Sequence, residues 1–160
     1  MKNNKYKIII LAVLTVILLI TAGRIFFEPF RIFGDCMEPA IKNEQLTFLN
    51  RISPYLRHYQ IGDIIVFKHE GKEWISRIVA LENNIIQITE RRVIVNGAAL
   101  DDKGIHRNWS GWKHGTYAID KPFQVPAGHV FVLSDNLSVE HDDSRVFGPI
   151  SNSSILGLIW

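Results

Sequence analysis

The most restrictive feature of this chain is an apolar run near its N-terminus, from Ile8 to Ala22. A helix of about 15 residues rises about 22 Å, which is less than the roughly 30 Å hydrocarbon core of a bilayer. Adding residues 23–27 gives about 20 residues, which is long enough to span a bilayer if Arg24 extends its charge to the interface. We therefore predict a transmembrane anchor over residues 8–27.

The charges before this run predict its orientation. Lys2, Lys5 and Lys7 precede it, and no acidic residue does. Under the positive-inside rule, basic residues stay on the cytoplasmic side. The sequence therefore predicts a single-pass protein of the cell membrane, with a cytoplasmic tail over residues 1–7 and an extracytoplasmic domain over residues 28–160.

A cleaved signal peptide is the alternative interpretation of the same run. Ala22 is a small residue of the kind that precedes a cleavage site. Ile20, however, is large where the cleavage pattern requires a small side chain, and apolar character continues to Phe27. Both features favour an uncleaved anchor.

Composition limits the remaining 133 or so residues to one modest globular domain. Apolar residues make up 47% of the chain and charged residues 21%, and the net charge is +2. A single cysteine excludes a disulfide within the chain. The domain lacks the excess of basic residues typical of nucleic-acid binding, so we expect no nucleic-acid partner.

Beyond the anchor, the pattern is that of short strands separated by turns. Asn96-Gly97 is a strong signal for a tight hairpin turn. The pattern predicts a mainly β domain built on a coiled sheet. The candidate strands cover residues 25–33, 45–50, 64–67, 74–81, 85–89, 92–96, 129–134 and 155–160.

The only cysteine lies in a constrained stretch just after the anchor, residues 33–41. Gly34 permits a positive φ or a close backbone approach, and Pro39 fixes its own φ. A thiol on such a rigid turn is a candidate nucleophile. The alternative is that Cys36 is a small buried hydrophobic residue, as free cysteines commonly are.

Four further stretches accompany this one in a fixed order. Together with residues 34–39 (GDCMEP) and the anchor, the chain resembles the type I signal peptidases of Gram-positive bacteria, peptidase S26. The stretches are residues 62–67 (GDIIVF), 75–79 (ISRIV), 131–136 (FVLSDN) and 141–148 (HDDSRVFG).

This resemblance implies a membrane-bound hydrolase that removes signal peptides from exported preproteins during secretion. Its fold would be a coiled antiparallel β-sheet domain behind one transmembrane helix. Its partners would be signal peptides and the lipid bilayer, with no cofactor. Cys36 matches the nucleophile position, and its N–H would help to hold the oxyanion. Met37, Pro39 and Ile75 match positions that bind substrate.

The chain departs from the family at both catalytic positions. The family has a serine where Cys36 stands, and a lysine that acts as general base where Ser76 stands. A thiol keeps a nucleophile, but at its ordinary pKa it is only a few per cent ionised near pH 7. The last motif also differs, because Ser134 replaces a glycine, Leu137 replaces an arginine, and the run to Asp143 is one residue longer.

One substitution suggests a replacement base. The family has a serine two residues before Asp143, next to the catalytic lysine, and this chain has His141 there. We hypothesise that His141 pairs with Cys36, oriented by Asp142 or Asp143. The alternative is that His141 lies on a solvated loop.

Other motif residues match structural positions of the family. We interpret Arg77, Asp143 and Arg145 as an ion-pair scaffold that fixes strand ends. The full supporting set is Arg77, Asp135, Asn136, Asp143, Ser144 and Arg145.

The remaining polar and aromatic candidates have weaker signals. Lys72 could share a strand face with Ser76, but a solvated lysine is the simpler interpretation. Trp109 and Trp112 fit either an interfacial belt or packing over the core. No metal is predicted, since no metal-site spacing is matched by Asp101, Asp102, His106 and His114.

Two other functions remain open. Loss of both family catalytic residues fits an inactive relative that binds peptides as a chaperone or assembly factor for secreted or pilus proteins. A membrane-anchored β module unrelated to proteolysis would not require the ordered motifs.

Overall fold

The computed structural model describes residues 2–101, 107–139 and 141–159, so Asp102 and His106 of the metal prediction lie outside the described residues. The elements are α1 (Lys2–Phe26), β1 (Phe27–Arg31), β2 (Leu46–Asn50), α2 (Ser53–Leu56), β3 (Ile64–His69), β4 (Lys72–Ala80), β5 (Ile85–Thr89), β6 (Arg92–Val95), β7 (Ala98–Ala99), β8 (Phe123–Gln124), β9 (His129–Leu133), α3 (Ser144–Phe147), β10 (Ile150–Ser151), a 3₁₀ turn (Asn152–Ser154) and β11 (Ile155–Ile159).

Helix α1 contains the stretch Asn4–Arg24, which is long and apolar enough to cross a membrane, with a mean hydropathy of 2.4. The predicted strand over residues 25–33 is wrong at its start, because the helix continues through Phe26. Glu28 precedes Pro29, and a residue before proline disfavours helical geometry. The chain therefore changes from helix to strand at Phe27 without a connecting loop.

The rest of the chain is mainly antiparallel β structure, as predicted. A seven-stranded sheet has the order β1-β2-β11-β3-β4-β9-β10, and a four-stranded sheet has the order β7-β6-β5-β8. Asn96 and Gly97 connect β6 to β7 with φ values of 53° and 80°. This geometry matches the hairpin turn that the sequence predicts.

Three apolar clusters stabilise the sheets, and the second of them surrounds Cys36. The first cluster lies under the four-stranded sheet, and Trp109 and Trp112 pack against it, half-buried. The observed contacts of these two tryptophans are thus those of core packing. The strand β4 runs through the centre of the larger sheet and carries Ser76.

Candidate active site

The turn that carries Cys36 is held in one shape by local hydrogen bonds. Gly34 has a φ of 103°, in the region that favours glycine, and its N–H donates to Asn43 Oδ1 at 2.9 Å. Further along, the Ile41 N–H donates to the Met37 carbonyl at 2.9 Å. Cys36 is only 3% exposed, so this turn directs the thiol into the protein.

The surroundings of the thiol are apolar. Met37 and Ile75 belong to the same buried cluster as Cys36, and the half-buried Val139 packs against that cluster. Pro39 lies exposed on the turn. Two of the three residues predicted to bind substrate therefore come together with Cys36, and Pro39 does not join them.

This environment makes Cys36 a weak acid. Burial is the largest cause that raises the pKa of the Cys36 thiol from its ordinary value of 9.0 to about 11. The negative charges of Asp135, Asp143 and Asp35 add to the rise, and a hydrogen bond from the residue's own N–H opposes it.

Ser76 is fully buried in the middle of β4, opposite Ile65 of β3. Its hydroxyl donates to the carbonyl oxygen of Ile75 at 2.7 Å. A hydroxyl has no useful basicity near neutral pH, and the proton of this one is already engaged with the backbone. Ser76, which we expect at the position of the family lysine, therefore offers no group that could act as a general base.

His141 lies near β4, the strand that carries Ser76, and the backbone of Ile75 in that strand acts to raise the pKa of its imidazole. The ring also packs edge-on against Trp74, with 5.0 Å between ring centroids. His141 is half-buried rather than solvated, and burial is the main cause that lowers its pKa. The charge of Asp143 opposes this lowering.

The second nitrogen of this imidazole has a notable position. His141 Nε2 is buried, and no group among the described residues hydrogen-bonds it. A buried polar atom without a partner is costly, so such atoms commonly mark a place where a ligand or a reacting group binds. The structure thus places His141 against Trp74 of β4, the strand that carries Ser76.

Asn136 joins the end of β9 to the Cys36 turn. Its N–H donates to the Cys36 carbonyl at 2.8 Å, and its side-chain amide donates to the Asp35 carbonyl at 3.1 Å. The neighbouring Asp135 accepts a bond from Arg77 Nε at 2.8 Å. Arg77, Asp135 and Asn136 therefore connect β4 to the backbone of Cys36.

A second ion pair lies deeper in the protein. Asp143 and Arg145 are both fully buried, and Arg145 Nε and Nη2 donate to the two carboxylate oxygens at 2.8 and 2.9 Å. The Ser134 N–H donates to Asp143 at 3.0 Å, and Ser144 Oγ accepts from the Val132 N–H at 2.9 Å. This network fixes the segment that carries His141 against the end of β9.

Sequence reasoning missed several contacts of this network. His114 Nε2 lies 2.9 Å from Asp142 Oδ1, and the Arg145 carbonyl accepts from the N–H groups of Thr116 and Tyr117. No spacing rule joins these distant segments, although Gly115 between them is a local sign of close backbone approach.

The remaining candidates lie outside the site. Lys72 is the first residue of β4 and is exposed, as expected for a solvated lysine. Within the described ranges, no group of His, Cys, Asp or Glu side chains has the geometry to hold a metal ion.

The comparison with known families identifies the class of protein. The family described as signal peptidase, peptidase S26 matches residues 5–159, which is nearly the whole chain. The chain therefore belongs to the peptidase S26 signal peptidase family, whose general activity is the removal of signal peptides.

Relatives in Gram-positive bacteria are similar over almost the full length. The chain is 27% identical to signal peptidase I P of Bacillus subtilis subsp. natto, covering 98% of this chain and 89% of the relative. It is 26% identical to signal peptidase IB of Staphylococcus aureus, covering 99% and 89%. A crystal structure of a signal peptidase I from Enterococcus faecalis superimposes with a TM-score of 0.51 at 24% identity, covering 65% of this chain and 98% of the other, which shows the shared fold.

Proposed function

We propose that this protein binds signal-peptide segments of exported preproteins in the groove beside Cys36 and does not cleave them. It would act as a chaperone or assembly factor for secreted or pilus proteins. The protein would lie in the cell membrane, with α1 as a single-pass anchor, the N-terminus in the cytoplasm and the β domain outside. Family membership supports the substrate class, and the chemistry at Cys36 and Ser76 supports the loss of cleavage.

The observation that carries this proposal is that the Cys36 thiol is only 3% exposed and that a hydroxyl bonded to the backbone, rather than an amine, stands at the expected base position. With a pKa of about 11, Cys36 would be ionised in only about one molecule in 10⁴ near pH 7. The thiolate is the attacking species in thiol catalysis, and a neighbouring base normally generates it. At the family's base position, the Ser76 hydroxyl instead donates to the Ile75 carbonyl.

A second candidate is a signal peptidase that uses Cys36 as nucleophile and His141 as base. The observation that favours it is the unpartnered, buried Nε2 of His141, whose ring packs against Trp74 of the strand that carries Ser76. The pKa of His141 is lowered, so the imidazole would be neutral at pH 7 and able to accept a proton. Asp143 would stabilise the imidazolium that results.

One experiment separates the two candidates. The full-length protein is reconstituted in lipid nanodiscs and mixed with a preprotein, and both the bound precursor and the cut product are measured. Wild type is compared with Cys36→Ala, His141→Gln and the double variant Cys36→Ser with Ser76→Lys. Ser153→Lys is the control for a serine-to-lysine change, because Ser153 is exposed and lies on the 3₁₀ turn before β11, outside the site motifs.

The non-cleaving function predicts saturable precursor binding and no product in wild type. The double variant, which restores the family pair, would gain cleavage, and Ser153→Lys would not. Cleavage by wild type that disappears in both Cys36→Ala and His141→Gln would instead establish the second candidate. Absence of both binding and cleavage in wild type would overturn both.

A further inference from the structure

The segment 137–139, here called the strap, contacts the Cys36 cluster through Val139. Leu137 is 1% exposed, and Val139 packs against the apolar cluster that contains Cys36 and Ile75. Val139 therefore contributes to the burial of the cluster that contains the thiol.

Backbone contacts hold the strap at both ends. At its start, the Leu137 N–H donates to the Asn108 carbonyl at 2.9 Å. At its end, the Val139 carbonyl accepts from the His141 N–H at 2.9 Å. Beyond it, Asp142 pairs with His114 of the facing segment.

The facing segment approaches the strap closely because it contains Gly111. A Cβ atom at Gly111 would overlap the carbonyl oxygen of Leu137. The strap therefore passes against a glycine backbone, and any larger residue at this position would push it away.

The other side of the strap faces an open cavity. This cavity has a volume of about 350 Å³ and lies between residues 110–114 and the strap. Val139 lines the cavity and also packs on the Cys36 cluster, so it separates the two spaces. Moving Val139 outward would join the cavity to the thiol as one cleft.

We propose that the strap occupies the peptide groove in the free protein, and that a bound peptide must displace Val139 to reach Cys36. This inference rests on the proposed function, because it assigns the regulation of the same groove. Val139 acts here as a gating residue that determines access, since its contacts with the cluster are those that an entering side chain would replace.

The single cysteine allows a direct test in the absence of any peptide. The rate of alkylation of Cys36 by iodoacetamide is measured in the native full-length protein in nanodiscs. Alkylation of a buried thiol requires local opening, so its rate reports how often the strap lifts. The substitution Val139→Ser removes most of the apolar contact between the strap and the Cys36 cluster. We therefore expect Cys36 to be alkylated roughly tenfold faster in this variant than in wild type.

Leu156→Ser is the matched control, because Leu156 packs against the same cluster but belongs to β11. An equal acceleration in both variants would mean general loosening of the cluster and would overturn the inference. An unchanged rate in Val139→Ser would also overturn it. Circular dichroism checks that each variant is folded, and Val139→Ala is used if the serine variant is not.

Precursor binding then distinguishes this inference from the function on which it rests. A strap that competes with peptide predicts tighter precursor binding in Val139→Ser than in wild type. Faster alkylation without precursor binding in any variant would retain the strap and reject the peptide-binding function. Precursor binding with an unchanged alkylation rate would retain the peptide-binding function and reject the strap.

Discussion

At the residue scale, the ion pair between Asp143 and Arg145 has no exposure to water. Such a pair contributes little net free energy, but removal of one partner leaves a buried charge without compensation. We predict that Asp143→Asn lowers the free energy of unfolding by about 3–5 kcal/mol. Urea denaturation of the protein in detergent measures this change.

The exposed pair of Arg51 and Glu28 provides the control for that experiment. Their side chains are 37% and 47% exposed, so water already screens the charges. Glu28→Gln should change the free energy of unfolding by less than about 0.5 kcal/mol. A similar loss in both variants would contradict the role assigned to burial.

The raised pKa of Cys36 leads to a second prediction at this scale, which is that the protein loses stability at alkaline pH. Its pKa of about 11 exceeds the ordinary 9.0, so the folded state holds the proton more tightly than the unfolded state. The stability that the protonated thiol gives the folded state is fully present below pH 9.0 and is lost as the pH rises toward about 11. The loss should be roughly 2–3 kcal/mol.

Cys36→Ser isolates this effect, because a serine hydroxyl does not titrate in the range. The difference in unfolding free energy between wild type and Cys36→Ser is measured at several pH values from 8 to about 11. A difference independent of pH would show that the thiol is not desolvated as described.

At the element scale, the segment before β8 approaches the one-turn helix α3 through Gly115. Gly115 has a φ of 84°, and a Cβ atom there would overlap the carbonyl of Arg145. Gly115→Ala should therefore destabilise the protein by about 2–4 kcal/mol, combining backbone strain with overpacking. Gly128 also has a positive φ, 71°, but open space around it, so Gly128→Ala should cost only about 1 kcal/mol. Thermal unfolding of the two variants measures the difference, and equal losses would contradict the close approach.

The longer strands were predictable from the sequence, because each carries its own signal, but the two-residue strands β7, β8 and β10 were not. Ile64-Ile65-Val66-Phe67 is a short apolar run, and Asn96-Gly97 specifies a turn by its backbone preferences. The junction at Phe26 was not predictable in the same way. Isoleucine and phenylalanine favour strands locally, whereas the preceding helix extends through them until Pro29 prevents it.

The motifs predict that Cys36, Ser76 and His141 form one site, and their roles stay a prediction. The structure groups Cys36 with Ile75, the residue before Ser76, and packs His141 against Trp74 of the same strand. Nothing in the sequence specifies that the Ser76 hydroxyl bonds the preceding carbonyl, or that Val139 covers the thiol. These contacts depend on side-chain packing between segments that are distant in sequence.

At the scale of the whole molecule, α1 carries the apolar surface that the domain does not cover. Its side chains from Ile8 to Ile20 are exposed in the protein alone. We predict that Ile17→Arg shifts the protein from the membrane fraction, because a central arginine costs about 2.5–3.5 kcal/mol on insertion. Carbonate extraction followed by immunoblotting measures the shift. Tyr6→Arg, near the helix end, is the control and should stay in the membrane.

Because α1 continues directly from Phe26 into β1, it also fixes the distance between the end of the helix and the β domain. The Arg51 N–H donates to the Phe26 carbonyl at 3.0 Å, so β2 is bonded to the last residue of the helix. A domain on a long flexible linker could sample many distances from the bilayer. No linker lies between α1 and β1 here, so the position of the domain relative to the helix end is restricted. Under the proposed function, a preprotein anchored in the same bilayer would therefore meet the proposed groove at a nearly constant distance from the membrane surface. The number of residues between the preprotein's anchor and its binding segment would determine whether that segment can reach the groove.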